Sequence, residues 1–241
     1  MHNGHSNRIT LENDLRHALE SGDQFELHYQ PQISFSQQRI IGMEALIRWH
    51  HPRHGLLSPD AFIPLAEETG LIIALGEWVL ENALRQMAVW RARGFTSLQL
   101  AINLSPKEFE RHDLPERLLG RLSAHAIPAE VLDIEITETL LMQDAEKNIS
   151  TVKQLRNCGL KVSIDDFGTR YSSLNYLRRF PINSIKIDQS FVRDLNPNNQ
   201  SSTSIIHAIA CIACSFGLRI IAEGVETETQ RQLLSELDCD D

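Results

Sequence analysis

The stretch VLDIEITE (131–138), with LKVSIDDFGT (160–169), SIKIDQS (184–190) and LRIIAEGVE (218–226) after it, decides the fold. Each begins as a short β-branched run and ends in acidic residues. Between them lie segments of helical spacing, closed by Gly159 and Gly217 or opened by a Thr227–Gln230 capping pair. Strand then helix, repeated, means parallel strands joined by helical crossovers. Side chains alternate across a strand, so Ile134 and Ile136 oppose Asp133 and Glu135, and Val162 and Ile164 oppose Ser163 and Asp165. Likewise Ile185 and Ile187 oppose Lys186 and Asp188, and Ile220 and Ala222 oppose Ile221 and Glu223. The β-branched set packs under helices, which leaves the polar set for the interior of the sheet.

Working outward, LQLAINLS (98–105) has the same pattern, with Asn103 in the polar phase and a Ser105–Glu108 capping box behind it. FELHYQPQIS (25–34) and RIIGMEALIRW (39–49) are joined by a short polar turn, which predicts an antiparallel pair with Glu44 opposing Met43 and Ala45. Helices are expected over Thr10–Ser21, from Pro59 to a stop at Gly70, and over Gly76–Arg93. The count is seven strands, one short of a closed eight-stranded barrel. No linker or repeat divides the chain. Residues 1–23 read as a leading helix or linker within the same single domain as 24–241.

Composition bounds the function. A net charge of −9 over 241 residues argues against a nucleic-acid polymer as partner, which calls for a basic stripe. No apolar run reaches the length of a membrane span, no secretory leader is visible, and four scattered cysteines suggest no disulfide framework; a cytoplasmic location without membrane contact is expected. Burying many carboxylates without positive charge is prohibitively costly, and one lysine, Lys186, is too little to offset them. Carboxylates with an Asn carbonyl are hard ligands, so one or two divalent ions of the Mg²⁺ or Mn²⁺ kind are expected at the strand ends.

These residues meet a known family. YQP (29–31), EALIRW (44–49), FIPLAEETGLI (62–72), NLSP (103–106), EITE (135–138), DDFGT (165–169), YSSL (171–174), KIDQSFV (186–192) and AEGVE (222–226) stand in an order and spacing that resemble the EAL-domain phosphodiesterases, from about Gln24 to Asp241. The resemblance implies a modified (β/α)8 barrel of TIM type with its first strand antiparallel. It implies hydrolysis of cyclic di-GMP to linear pGpG with Mg²⁺ or Mn²⁺, and Ca²⁺ that binds but inhibits. It places one ion on Glu44, Asn103, Glu135 and Asp165, and a second on Asp165, Asp166 and Glu223. Catalytic roles fall to Lys186, at the attacking water, and Glu223. Gln30 and Arg48 would touch substrate, Asp188 would support the substrate site, and Glu138 would steady the loop that begins at Asp165. A homodimer, and neighbouring sensory or diguanylate-cyclase-type domains in a longer parent, are further implications. A different class of reading is a non-catalytic cyclic di-GMP sensor; the full set of implied ligands favours the enzyme.

The chain departs from the family pattern twice. Arg170 stands where the family has glycine after DDFGT, which would strain a positive-φ position by roughly 1 kcal/mol. The sequence stops at LDCDD, where the family runs on into a Gln-Gly-Tyr motif, so the last strand reads as truncated and the outer edge of 218–223 as unpaired, favouring self-association. Other signals read as structural. Cys211 and Cys214 are expected as buried packing thiols, His50, His51 and His54 as surface histidines without acidic partners, Trp78 and Trp90 as core, and 194–204 as a loop.

Overall fold

The computed structural model describes residues 2–169, 174–196 and 200–241; Arg170 and the YSS of 171–173 lie outside them. The strands are β1 (Phe25–Ser34), β2 (Arg39–His51), β3 (Gly55–Leu57), β4 (Gln99–Asn103), β5 (Leu132–Thr137), β6 (Lys161–Phe167), β7 (Ser184–Ile187) and β8 (Arg219–Ala222). The helices are α1 (His2–Ser21), α2 (Ile63–Thr69), α3 (Ile72–Ala92), α4 (Pro106–Phe109), α5 (Leu114–Ala124), α6 (Glu138–Gln143), α7 (Ala145–Asn157), α8 (Leu174–Leu177), α9 (Gln189–Arg193), α10 (Gln200–Phe216) and α11 (Glu228–Glu236). The sheet runs β1-β2-β4-β5-β6-β7-β8, with β3 on β2. Neighbours β1 and β2 are joined by four residues, so the first strand is antiparallel. The short β3 was not foreseen; it extends β2 through the register Trp49↔Leu57 and His51↔Gly55.

The chain forms two compact units. One comprises Met1–Gln30, Met43–Thr96 and Ile102–Pro128, the other Pro31–Gly42, Ser97–Ala101 and Ala129–Asp241. In the first, Leu15 and Ala18 of α1 pack with Phe25, Ile47, Trp49, Phe62, Ala66, Ile72 and Leu75. Phe25 sits at the aromatic centre, 5.9 Å from Trp49 and 5.5 Å from Trp78 between ring centroids. His51 is buried against this core rather than on the surface. Its Nδ1 accepts from the backbone N–H of Arg53 and His54, so its Nε2 carries the proton and donates to Asp14 at 3.1 Å. The acidic partner lies 37 residues upstream, where sequence proximity does not reveal it.

Helix α3 begins four residues before the expected Gly76. That glycine sits in the helix interior, where a Cβ would run into the Glu108 carboxyl. Glu108 is committed to the predicted capping box, in which the Ser105 N–H donates to Glu108 Oε2 and the Glu108 N–H to Ser105 Oγ. Burial pushes its carboxyl above the usual range, against the hydroxyl and backbone bonds of Ser105 and the nearby Arg117.

In the second unit β5, β6, β7 and β8 pair in parallel, with Ile134↔Val162, Ile164↔Ile185 and Ile185↔Ile220 in register. These isoleucines and valine are almost wholly buried, as the alternation requires. The far edge of β8 is occupied: the Asp240 and Asp241 N–H groups donate to Ile220 O, the Ala222 N–H donates to Asp241 O, and the Phe35 N–H donates to Asp240 O. Helix α10 starts at Gln200, so part of the expected loop 194–204 is helical. Ile206, Ile209, Ala210 and Ala213 form its buried side, whereas Cys211 and Cys214 are exposed, contrary to the expectation of packing thiols.

Candidate active site

At the C-terminal ends of β5 to β8, the polar phase of the second unit converges on one ammonium group. Lys186 Nζ lies 2.7 Å from Glu135 Oε2, 2.7 Å from Glu223 Oε1 and 3.3 Å from Asp165 Oδ1. Lys186 and Glu135 are each 1% exposed. An ammonium has three protons, and three carboxylates surround it. A single lysine therefore engages more of the acidic set than charge counting allowed. Glu135 lies on β5 and Lys186 on β7, with β6 between them, so the two side chains meet across an intervening strand on the face that parity assigns to both.

Alternation does not account for Asp166. Between β6 and β7 the register passes from Ile164↔Ile185 to Phe167↔Ile187, so β6 spends one residue more than its neighbour. Asp166 occupies this bulge with φ 55°, a left-handed conformation that Asp tolerates better than most residues. The irregularity turns Asp166 toward the end where Asp165 already points. Asp165, Asp166 and Glu223 each offer an oxygen, all within 4.8 Å of one another. Burial first, and then the charges of Asp165 and Asp188, push the Asp166 carboxyl up to about 6. A cluster that resists its own ionisation is suited to a cation, and three carboxylates are a hard donor set.

The loop after β6 is held from below. Glu138, almost fully buried at the start of α6, accepts from the Gly168 N–H at 3.0 Å. Thr137 caps the same helix by accepting from the Leu140 N–H. Gly168 has φ 93°, and a Cβ on it would come within 3.1 Å of Phe191 and 3.2 Å of Ile209. Asp188 caps α9, accepting from the Ser190 N–H at 3.0 Å, and it also neighbours Asp166. Beneath the charged layer lies a second one. Ser163 Oγ donates to Asp133 Oδ2 at 2.8 Å and accepts from Ser184 Oγ at 2.6 Å. Burial pushes the Asp133 carboxyl up to about 6.

The remaining residues singled out from the sequence lie in the first unit. The Asn103 amide N–H donates to Glu44 Oε1 at 2.7 Å. Arg48 is half-buried and donates to the Ile47 carbonyl, and Gln30 is exposed.

Comparison with known proteins gives one answer. The family model of the EAL domain matches residues 12–240. The chain is 43% identical over 232 residues to the bifunctional diguanylate cyclase/cyclic di-GMP phosphodiesterase MucR of Pseudomonas aeruginosa, which covers 96% of this chain and 34% of MucR. It is 40% identical over 231 residues to the cyclic di-GMP phosphodiesterase PdeR of Escherichia coli, covering 95% of this chain and 34% of PdeR. The chain thus spans about a third of the length of these curated relatives. Among solved structures, the PaMucR phosphodiesterase in complex with c-di-GMP superimposes with a TM-score of 0.91 at 43% identity, covering 96% of this chain and 93% of that one. The EAL enzyme Bd1971, in its cAMP and cyclic-di-GMP bound form, gives 0.90 at 31% identity, covering 98% and 64%. The fold is of the modified (β/α)8 type with its first strand antiparallel, and the chain belongs to the EAL domain family.

Proposed function

We propose that this chain hydrolyses cyclic di-GMP to linear pGpG in a reaction that requires Mg²⁺ or Mn²⁺. The observation that carries the proposal is the convergence of Glu135, Asp165 and Glu223 on buried Lys186, beside the oxygen triangle of Asp165, Asp166 and Glu223. By the family motif, Glu44, Asn103, Glu135 and Asp165 would hold one ion, and Asp165, Asp166 and Glu223 a second. When bound, such ions supply positive charge to the phosphodiester and lower the pKa of a water molecule. In the reaction the water oxygen forms a bond to phosphorus as one ring P–O3′ bond breaks, and a proton ends on the departing 3′ oxygen. Lys186 would hold the attacking water by donating to it and add charge where the transition state develops it. Gln30 and Arg48 would bind the nucleotide and phosphate, and Asp188 would brace the substrate side. Glu138 would fix the loop carrying Asp166, because that loop hangs on its carboxylate through Gly168.

Ca²⁺ would bind and fail to support turnover, since its looser, higher-coordinate shell misplaces the reacting groups. The test is incubation of the chain with cyclic di-GMP and Mn²⁺, with products separated by chromatography. Linear pGpG that disappears on chelation is the expected result. Tight binding of cyclic di-GMP without turnover under any divalent ion would replace the enzyme by the sensor. Adjoining signalling domains fit the length of the relatives, and a homodimer belongs to the same proposal.

A further inference from the structure

At the opposite end of the same strands, the second unit contains a cavity of about 340 Å³. Lys161, Ser184 and Arg219 in its wall are the first residues of β6, β7 and β8, whereas the charged layer stands toward the C-terminal ends of the strands. That volume lies within the range of small-ligand sites. Three cationic side chains, Arg156, Lys161 and Arg219, line it against one carboxylate, Asp133. Arg156 donates to the Leu160 carbonyl, and Arg219 pairs with Asp241. Lys161 is the register partner of Asp133, yet no ion pair joins Lys161 to a carboxylate among the described residues. Burial holds its amine below the usual lysine range, so a neighbouring anion would stabilise the charged form.

The hydrogen-bond inventory narrows the ligand further. Asp133 Oδ1, Gln99 Oε1 and Gln32 Nε2 are buried without a partner, and all three residues line the cavity. Two are acceptors and one is a donor. A ligand that presents oxygens to the cations and to Gln32, and an O–H to Asp133, meets every one of these groups except Gln99 Oε1. We propose that the cavity is a binding site for inorganic hydrogenphosphate, distinct from the catalytic centre. Hydrogenphosphate keeps one O–H at neutral pH beside three acceptor oxygens. Sulfate has none, and its oxygens would face those of Asp133 with no proton between them. A phosphomonoester dianion has the same defect, which separates free from esterified phosphate. The proposal does not depend on the reaction assigned above.

The experiment is calorimetric titration of the whole chain, freed of metal by chelator and held at about pH 8, with inorganic phosphate, sulfate and ribose 5-phosphate in turn. Saturable phosphate binding is expected, with the other two at least about tenfold weaker, a difference of ~1.4 kcal/mol. Lys161→Gln should weaken phosphate about tenfold, Asp133→Asn should narrow the gap between phosphate and sulfate, and Glu223→Gln should change neither. Circular dichroism checks that each variant folds, and Arg156→Gln is the second probe of the wall should Lys161→Gln unfold. Absence of saturable binding, sulfate bound as tightly as phosphate, or loss on Glu223→Gln with retention in Lys161→Gln would overturn the assignment; the last places the anion at the catalytic end.

Discussion

Replacement of Lys186 by methionine keeps most of the length of the side chain and removes its charge. In metal-free protein this strips Glu135, Asp165 and Glu223 of the ammonium that lies within 3.3 Å of all three. Glu135 has the least recourse to solvent, so its cheapest escape is proton uptake. For an ordinary glutamate carboxyl that uptake costs ~3.7 kcal/mol at pH 7, reckoned at 1.36 kcal/mol for each unit above 4.3. The figure agrees with the 3–5 kcal/mol typical of breaking a buried ion pair from one side. At about pH 5 the same step costs only ~1 kcal/mol. The sign follows from linkage: a carboxyl held neutral by the fold contributes fully at low pH, and its contribution is lost as pH rises. Urea unfolding of wild type and Lys186→Met in chelator should therefore differ by ~3–4 kcal/mol near neutrality and by ~1 kcal/mol near pH 5. A loss under ~1 kcal/mol at neutrality, or one equal at both pH values, would refute the view that Lys186 is the counter-charge of this cluster.

Three further outcomes are expected. Because Asp166 holds its proton up to about 6, Mn²⁺ affinity measured by titration should fall as pH drops through that value, and an affinity flat from neutrality to about pH 5 would remove Asp166 from the ligand set. Glu138→Gln retains an acceptor for the Gly168 N–H and should keep most activity, whereas Glu138→Ala should lose tenfold or more in kcat with the melting temperature little changed; equal activity of the two variants would deny the loop role. Gly76→Ala, ordinarily favourable in a helix, should destabilise the protein by roughly 1–3 kcal/mol, because its Cβ would displace the Glu108 carboxyl and break the cap, and a raised melting temperature would contradict that packing.

Much of the second unit was legible from parity. Ile134, Ile136, Val162, Ile164, Ile185 and Ile187 alternate with Glu135, Ser163, Asp165 and Lys186, and a period of two is enough to sort such strands into an apolar and a polar face. Both capping boxes were legible as well, since they are local in sequence. The bulge at Asp166 was not, because strict alternation sends Asp166 to the opposite face and only the pairing partner reveals the extra residue. His51 was misread because the half-buried acid that accepts its hydrogen bond, Asp14, belongs to α1, far away in sequence. The cysteines of α10 were misread for an avoidable reason. Ile206, Ile209, Ala210 and Ala213 already fill one helical face at the right spacing, which leaves Cys211 and Cys214 on the other. The basal cavity had no sequence signature, since its wall gathers Gln32, Gln99, Asp133, Lys161 and Arg219 from five different strands.

The layering of β5, β6 and β7 also bears on how the chain finds its native pairing. Asp133, Ser163 and Ser184 form one tier, and Glu135, Asp165 and Lys186 the tier above. A slip of one residue between neighbouring strands would turn an isoleucine row inward and drive carboxylates beneath the helices. A slip of two would preserve the apolar face, the usual weakness of β-branched strands, but would set the lysine beside serine and leave a buried carboxylate without its cation. The residues assigned to chemistry thus act as a combination lock on alignment, rejecting the even-numbered errors that hydrophobic patterning alone would admit. Variants that neutralise the cluster would then be expected to refold more slowly and through more misaligned species, even where the native state survives.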